Sequence, residues 1–397
     1  MHLPIKTALL LVASLVQAHP RPNHQNKAVY VLRNTAENAV IGLPVSPNGI
    51  LGEGIVTLTG GRGGTAVTSD QEPSGPDALF SQAPLTVAGE YVFAVNPGSN
   101  TLSMLKANHH NPAVLTLVGE PIPIPGEFPV TVAASPKNKL ACVGTTGRKA
   151  GISCASFTEH GLDMMDALRP YNLNQTTPPS GPPNGIAHTF FSADESQLFT
   201  TVKGTPGADI GFFSVFPVRG SDACASGKKS ATLARHDIRS SFNGTNLLFG
   251  SAIVPSSSHI FVTDPTFGVA VLDVNENTHK TKLLSRVPIP GQMALCWASY
   301  SAARRTVFVS DGALNRLVEL NATDASIVSV VHLPNQDPSH IDIQAAGDYV
   351  YALSPGNGTT EASIAVYDTM EMKQIQHVSL KSNGGDKNAV GVAYLEL

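Results

Sequence analysis

The feature that most constrains this chain is a short segment that recurs seven times. Each copy is an apolar strand that stops at a polar turn. The copies are AVYVLRN around Tyr30, EYVFAVN around Tyr91, KLACVGT around Leu140, QLFTTVK around Leu198, HIFVTDP around Ile260, TVFVSDG around Val307 and YVYALSP around Val350. Their separations are 61, 49, 58, 62, 47 and 43 residues. A β-propeller blade takes roughly 40–50 residues, and loop insertions lengthen some of them. A period of this size means that each unit buries its apolar face only against its neighbours, so the copies must stack.

A second strand precedes most copies. FPVTVAASPKNK (128–139), GIAHTFFSADES (185–196), FGSAIVPSSSH (249–259), MALCWASYSAAR (293–304) and HIDIQAAGD (340–348) are small and β-branched, then break at a Ser/Pro/Asp/Gly turn. Small residues suit the innermost strand, where blades crowd around a channel. The first copy lacks such a strand, because residues 19–27 are polar and proline-rich. The missing piece stands at the other end of the chain. AVGVAYLEL (389–397) reads as an inner strand without a blade. Donating it to the first blade would close the ring and remove exposed edges. The expected fold is therefore all-β, a seven-bladed propeller closed by the C-terminal strand. A length of 397 residues suggests two or three domains, but the repeat argues for one domain over 19–397. The competing organisation is an array of two sandwich domains.

Residues 1–18 read as a secretory signal peptide: a weakly basic start, an apolar run over 7–16, and small residues at Val16 and Ala18 before the cut. An apolar run this short does not span a membrane, which needs roughly 20 residues. The chain is expected to be secreted, extracellular or cell-surface associated, monomeric and without a membrane span. Four sequons fit that route, at Asn174, Asn243, Asn321 and Asn357, and mark glycosylated, exposed loops. Four cysteines are too few for a disulfide scaffold. Cys142 and Cys154 flank one turn of a hairpin, where a cross-strand bridge is geometrically allowed. Cys224 and Cys296 either bridge at long range or stay free.

With 26 basic and 30 acidic residues and no basic stripe, the chain lacks the signature of a nucleic-acid partner. The glycine-rich stretch 59–65 (TGGRGGT) has no helix after it, and 226–230 (SGKKS) lacks the glycine a phosphate loop needs, so both read as turns. No nucleophile elbow, zinc-protease motif or cofactor-binding motif is present. His109 and His110 are adjacent on a strand-like segment and face opposite sides, which does not suit a metal. Two long connections, 157–183 and 218–246, are polar and sequon-bearing, so they are expected as exposed loops, with one helical turn over 164–169.

The blade pattern, the export signal and the stretch GEFPVTVAASPKNKLACVGTTG (126–147) resemble the lactonase-type seven-bladed propellers. The nearest likeness is to secreted fungal 3-carboxymuconate cyclase-like proteins, some of them surface antigens and adhesins. That resemblance implies an enzyme that closes or opens a lactone on a small carboxylate, without a cofactor. It also implies that polar residues at the starts of inner strands converge on the channel mouth. Here the family's His-Pro-His reads Phe128-Pro129-Val130, its Gly-Pro-Arg-His reads Gly185-Ile186-Ala187-His188, and its Glu aligns with Gly250. Only His188 survives as a candidate acid or base. Glu127, Arg169, His236, Arg239 and His340 are the candidates to rebuild a substrate site from loops. An anionic substrate needs cations to hold it, and these substitutions leave few. The alternative is a non-catalytic secreted glycoprotein that binds an extracellular or cell-surface ligand.

Overall fold

In a computed structural model, which describes residues 26–220, 231–255 and 257–397, the chain forms seven antiparallel sheets. The segment 1–18 lies outside the described residues, as does Cys224. Each sheet has four main strands, and the only helix among the described residues is the 3₁₀ turn Lys381–Asn383. The inner strands, taken around the ring from blade 1 to blade 7, are Val390–Glu396, Leu85–Ala88, Pro129–Ser135, Ile186–Phe191, Ser251–Ile253, Leu295–Ser301 and Ile343–Ala346. The recurring segment is the second strand of every blade. In blades 3, 4, 5 and 6, for example, it is Leu140–Thr145, Gln197–Val202, His259–Asp264 and Thr306–Asp311. Apart from Gln197 and His259, these residues are buried hydrophobic or small polar groups, because a second strand is covered on both faces by neighbouring blades.

The C-terminal strand closes the ring. Val390–Glu396 pairs antiparallel with Lys27–Leu32, with Tyr30 opposite Ala393. The two chain ends also bond reciprocally, Leu397 N–H to the Asn26 carbonyl at 2.9 Å and Asn26 Nδ2 to the Leu397 carbonyl at 3.1 Å. Blade 1 thus gets its innermost strand from the far end of the sequence.

Two local expectations are corrected. Residues 164–169 form no helical turn: the Asp166 N–H donates to the Cys154 carbonyl and its carboxylate accepts the Cys154 N–H, each at 2.8 Å. Arg169–Pro170 then pairs with Gly151–Thr158, so the backbone groups a helix would use are spent on a sheet edge. The long connections are also less exposed than their composition suggests. Tyr171, Leu173, Leu233 and Phe242 are buried, and Thr232–Leu233 and Ile238–Ser240 add short strands to blade 4. Cys142 and Cys154 face each other across blade 3 and are disulfide-bonded, while Cys296 is a buried free thiol. Of the sequon asparagines, Asn174, Asn243 and Asn357 are exposed and Asn321 is half-buried.

Two buried aspartates end the second strands of blades 5 and 6 and explain the DP and DG turns there. Asp264 accepts the amides of Asn246 and Leu247, and Asp311 those of Met293 and Ala294. In both blades the carboxylate ties down the segment that leads into the inner strand. This fixes where the channel-lining residues begin.

Candidate functional site

The inner strands all run in one direction along the channel, so the channel has one end where they begin and another where they finish. At the first end the chain plugs its own channel. Residues 77–84, in the connection from blade 1 to blade 2, descend among the inner strands, and Ala78, Leu79, Ser81 and Gln82 are buried. The Ser81 hydroxyl donates to the Val130 carbonyl of blade 3 at 2.7 Å, and the Gln82 N–H donates to Ala187 of blade 4 at 2.8 Å. Trp297 of blade 6 donates its indole N–H to the Ser81 carbonyl at 3.1 Å. The Asp342 carboxylate of blade 7 accepts the Ala83 N–H, also at 3.1 Å.

The Gln82 carboxamide makes the central link. Its Nε2 donates to the carbonyls of Ser251 (3.1 Å) and Ala298 (3.0 Å), and its Oε1 accepts the N–H groups of the same two residues at 3.2 and 3.1 Å. One side chain therefore satisfies four backbone groups on blades 5 and 6. Phe80 and Ala83 hold left-handed backbone angles, φ 50° and 58°. Such angles cost non-glycine residues roughly 1–2 kcal/mol each and persist where surrounding contacts over-determine them.

Gly250 belongs to this plug. A Cβ at position 250 would lie 2.2 Å from Gln82 Oε1 and 2.4 Å from the Cys296 carbonyl oxygen. The position where the resemblance places a glutamate is thus the place filled by the Gln82 carboxamide. Lys203, the cation buried at this end, is committed as well: its ammonium donates to the Phe80 carbonyl and lies 4.8 Å above the Phe249 ring. Burial lowers its pKa to about 8, although nearby Asp77 opposes the shift; burial raises Asp77 itself to about 6.

Beyond the plug the channel widens into a cavity of about 360 Å³, bounded by Gln82 and Ala83 at one end and by Tyr300 and Tyr394, late in their strands, at the other. His188 lines it. Burial lowers the His188 pKa from 6.5 to about 3, its ring stacks on Phe190 at 4.6 Å, and Nδ1 has no hydrogen-bond partner among the described residues. At neutral pH this imidazole is uncharged.

The other candidates do not join it. Arg169, His236 and Arg239 line a separate pocket of about 500 Å³ at blade 4. There Arg169 makes a bidentate pair with Asp166 at 2.9 and 2.8 Å. Arg239 pairs with Asp237 at 2.8 Å and sits 4.8 and 4.7 Å above the rings of Tyr171 and Phe212. Glu127 accepts the Thr177 hydroxyl at 2.6 Å and lies 3.6 Å from Lys149. His340 is fully buried 3.5 Å from Asp337, whose carboxylate accepts from His377 at 2.9 Å. Among the described residues, no group of three or more His, Cys, Asp or Glu is placed to hold a metal ion. The plug was missed in the sequence because residues 77–84 look like one more loop. The available signal was a short apolar stretch, ALF (78–80), inside a Gly/Pro-rich insertion.

The chain matches no protein-family model and no curated protein sequence. Solved structures with the same fold include a protein from Lactobacillus plantarum at 14% identity and TM-score 0.64, covering 94% of this chain and 100% of that one. A candidate 6-phosphogluconolactonase from Bacteroides fragilis gives 11% identity and TM-score 0.63, covering 95% and 100%. The periplasmic gluconolactonase of Pseudomonas aeruginosa gives 12% and 0.63, covering 93% and 99%. At these identities the likeness shows the propeller fold. Among the described residues, no helix is long and apolar enough to cross a membrane.

Proposed function

We propose that this chain is a secreted, glycosylated propeller of the lactonase type that binds an extracellular ligand and does not catalyse lactone chemistry. One observation carries the reading: residues 77–84 fill the end of the channel where such a catalyst would gather its acid, base and anion-holding groups. Lys203, the buried cation there, is bonded to the plug's own backbone, and His188 beyond it is held neutral. A carboxylated substrate entering this mouth would have to displace the plug and find an unpaired cation. The sequons and the 1–18 segment support export, which a shift in mobility on deglycosylation of the secreted protein would test.

The reading is tested by offering the purified protein 3-carboxymuconate and glucono-δ-lactone, following diene absorbance and lactone opening. The expected result is no turnover above buffer. Turnover that His188→Ala abolishes would restore the lactonizing or lactone-opening enzyme as the better reading.

A further inference from the structure

The outer edges of blades 3 and 4 enclose the pocket of about 500 Å³, away from the channel and whatever the channel binds. The cations that line it differ in what they are free to do. Arg169 is fully engaged: Nη1 and Nη2 hold Asp166 at 2.9 and 2.8 Å, and Nε donates to the Ala234 carbonyl at 2.9 Å. It acts as a clamp on the backbone that runs on from Ala234 into Arg235, His236 and Asp237.

Arg239 is held along one edge only. Its Nε donates to Asp237 at 2.8 Å, and its guanidinium lies 4.8 and 4.7 Å above the rings of Tyr171 and Phe212. Those two rings meet edge-on at 5.4 Å. The Asp237 oxygen that accepts from Arg239 also accepts the Ser214 hydroxyl at 2.7 Å, and Ser214 accepts the Tyr171 hydroxyl at 2.6 Å. These neighbours set the plane and direction of the guanidinium. Nη1 and Nη2 have no hydrogen-bond partner among the described residues. Paired N–H donors on a fixed plane match the geometry of an oxyanion, which a mobile ammonium does not. Arg235 and His236 are exposed, line the same pocket and have no partner among the described residues.

The lining also selects what carries the anion. Three arginines face two aspartates, an excess of one positive charge, which suits a singly charged group. Leu168, Pro170, Tyr171 and Phe216 supply apolar surface beside the cations. A bare ion would leave that surface in contact with water. A neutral apolar molecule would strip water from the guanidinium groups and give nothing back. The volume falls within the range of pockets that enclose small ligands, roughly 300–1,000 Å³.

We infer that this pocket is a binding site for a small molecule that carries one singly charged oxyanion, a carboxylate or a sulfate ester, on an apolar body, with Arg239 and Arg235 holding the anion.

The test uses the full secreted protein with four probes: benzoate, phenyl sulfate, benzyl alcohol and inorganic sulfate. Calorimetry and saturation-transfer NMR at low salt should detect benzoate, phenyl sulfate or both at concentrations up to about 10 mM, and the tighter of the two tells carboxylate from sulfate ester. Benzyl alcohol lacks the charge and inorganic sulfate lacks the body, so each should bind at least roughly tenfold more weakly. Arg239→Lys keeps the charge but loses the paired donors and should weaken the anion by roughly tenfold. Arg235→Gln has no bond to lose in the free protein, so it should weaken binding by roughly threefold or more at an unchanged melting temperature. If Arg239→Lys lowers the melting temperature, Arg235→Gln alone provides the reading. The inference fails if neither aromatic anion binds, or if benzyl alcohol binds as well as they do. Inorganic sulfate binding equally well would mean an adventitious ion only, and would also overturn it, as would wild-type affinity in both variants. The turnover assay reports on the channel and is independent of these outcomes.

Discussion

The two ends of the propeller channel are walled by the same inner strands but finish differently. Where the strands begin, the chain inserts its own residues 77–84, and Gln82 satisfies four backbone groups of blades 5 and 6. Further along the same strands, polar side chains face a cavity of about 360 Å³, and Ser251 and His188 keep unpaired polar atoms. The first end is filled by chain and tied across the blades, with Asp77 Oδ2 left without a partner among the described residues, and the second stays an open cavity. The difference teaches that the same inner strands can be finished in two ways, because the missing side chain at Gly250 leaves the room that the Gln82 carboxamide fills.

The comparison can be broken most severely by removing what both ends share. Deleting residues 391–397 takes the inner strand from blade 1, so the ring cannot close and both ends should be lost. The expected outcome is no folded, secreted protein, read by yield and circular dichroism. A truncated chain secreted at unchanged thermal stability would refute closure by Val390–Glu396.

Gln82→Ala addresses the plugged end alone. Four hydrogen bonds disappear and their backbone partners are left buried, so denaturant unfolding should show a loss of about 2–4 kcal/mol. An unchanged midpoint would mean that the plug is not anchored there. Gly250→Ala puts a Cβ into the same carboxamide and should cost about 1–3 kcal/mol by overpacking. The double variant sharpens the point: with Gln82 shortened, the added methyl meets one obstacle fewer, so the two losses should sum to less than their separate values. Full additivity would place the strain of Gly250→Ala entirely on the Cys296 carbonyl.

The cavity end is addressed through pH, and at neutral pH its effect is the smallest. Burial holds His188 near 3, below its ordinary 6.5, so its ring signals should not titrate between pH 5 and 8 by NMR. Below about pH 6.5 the unfolded chain takes up a proton that the folded one refuses. The stability that goes with the neutral ring is fully present above that pH and is lost as the pH falls toward 3. His188→Gln should flatten this part of the acid limb; a midpoint near 6.5 in the folded protein would show the ring to be solvated.

Much of the architecture was legible because it is local and periodic. The seven second strands, from Tyr30 to Val350, announce themselves by composition, since a strand covered on both faces must be apolar over its whole length. The orphan strand at 389–397 was legible for the same reason, together with the lack of an inner strand near residue 20. The stretch 164–169 was misread: Met164, Asp166 and Ala167 look helical, and only the blade-3 edge at Cys154, already in place, offered the backbone a better partner. The site was least legible. His188 was found as a lone inner-strand histidine, but its low pKa depends on what surrounds it in the ring.

The sequence by itself determined seven blades, their order and the strand that closes them. These depend on apolar periodicity and on turn residues that act within a few positions along the chain. Tertiary structure alone decided that residues 77–84 are a plug and not a loop, and that Gly250 is the room the plug needs. It also decided that Ser251 and His188 share a cavity while Arg169 and Arg239 lie apart from it. Those outcomes depend on distances across the channel between residues more than 100 positions apart, such as Gln82 and Ser251, separated by 169. Such distances exist only once the ring has closed.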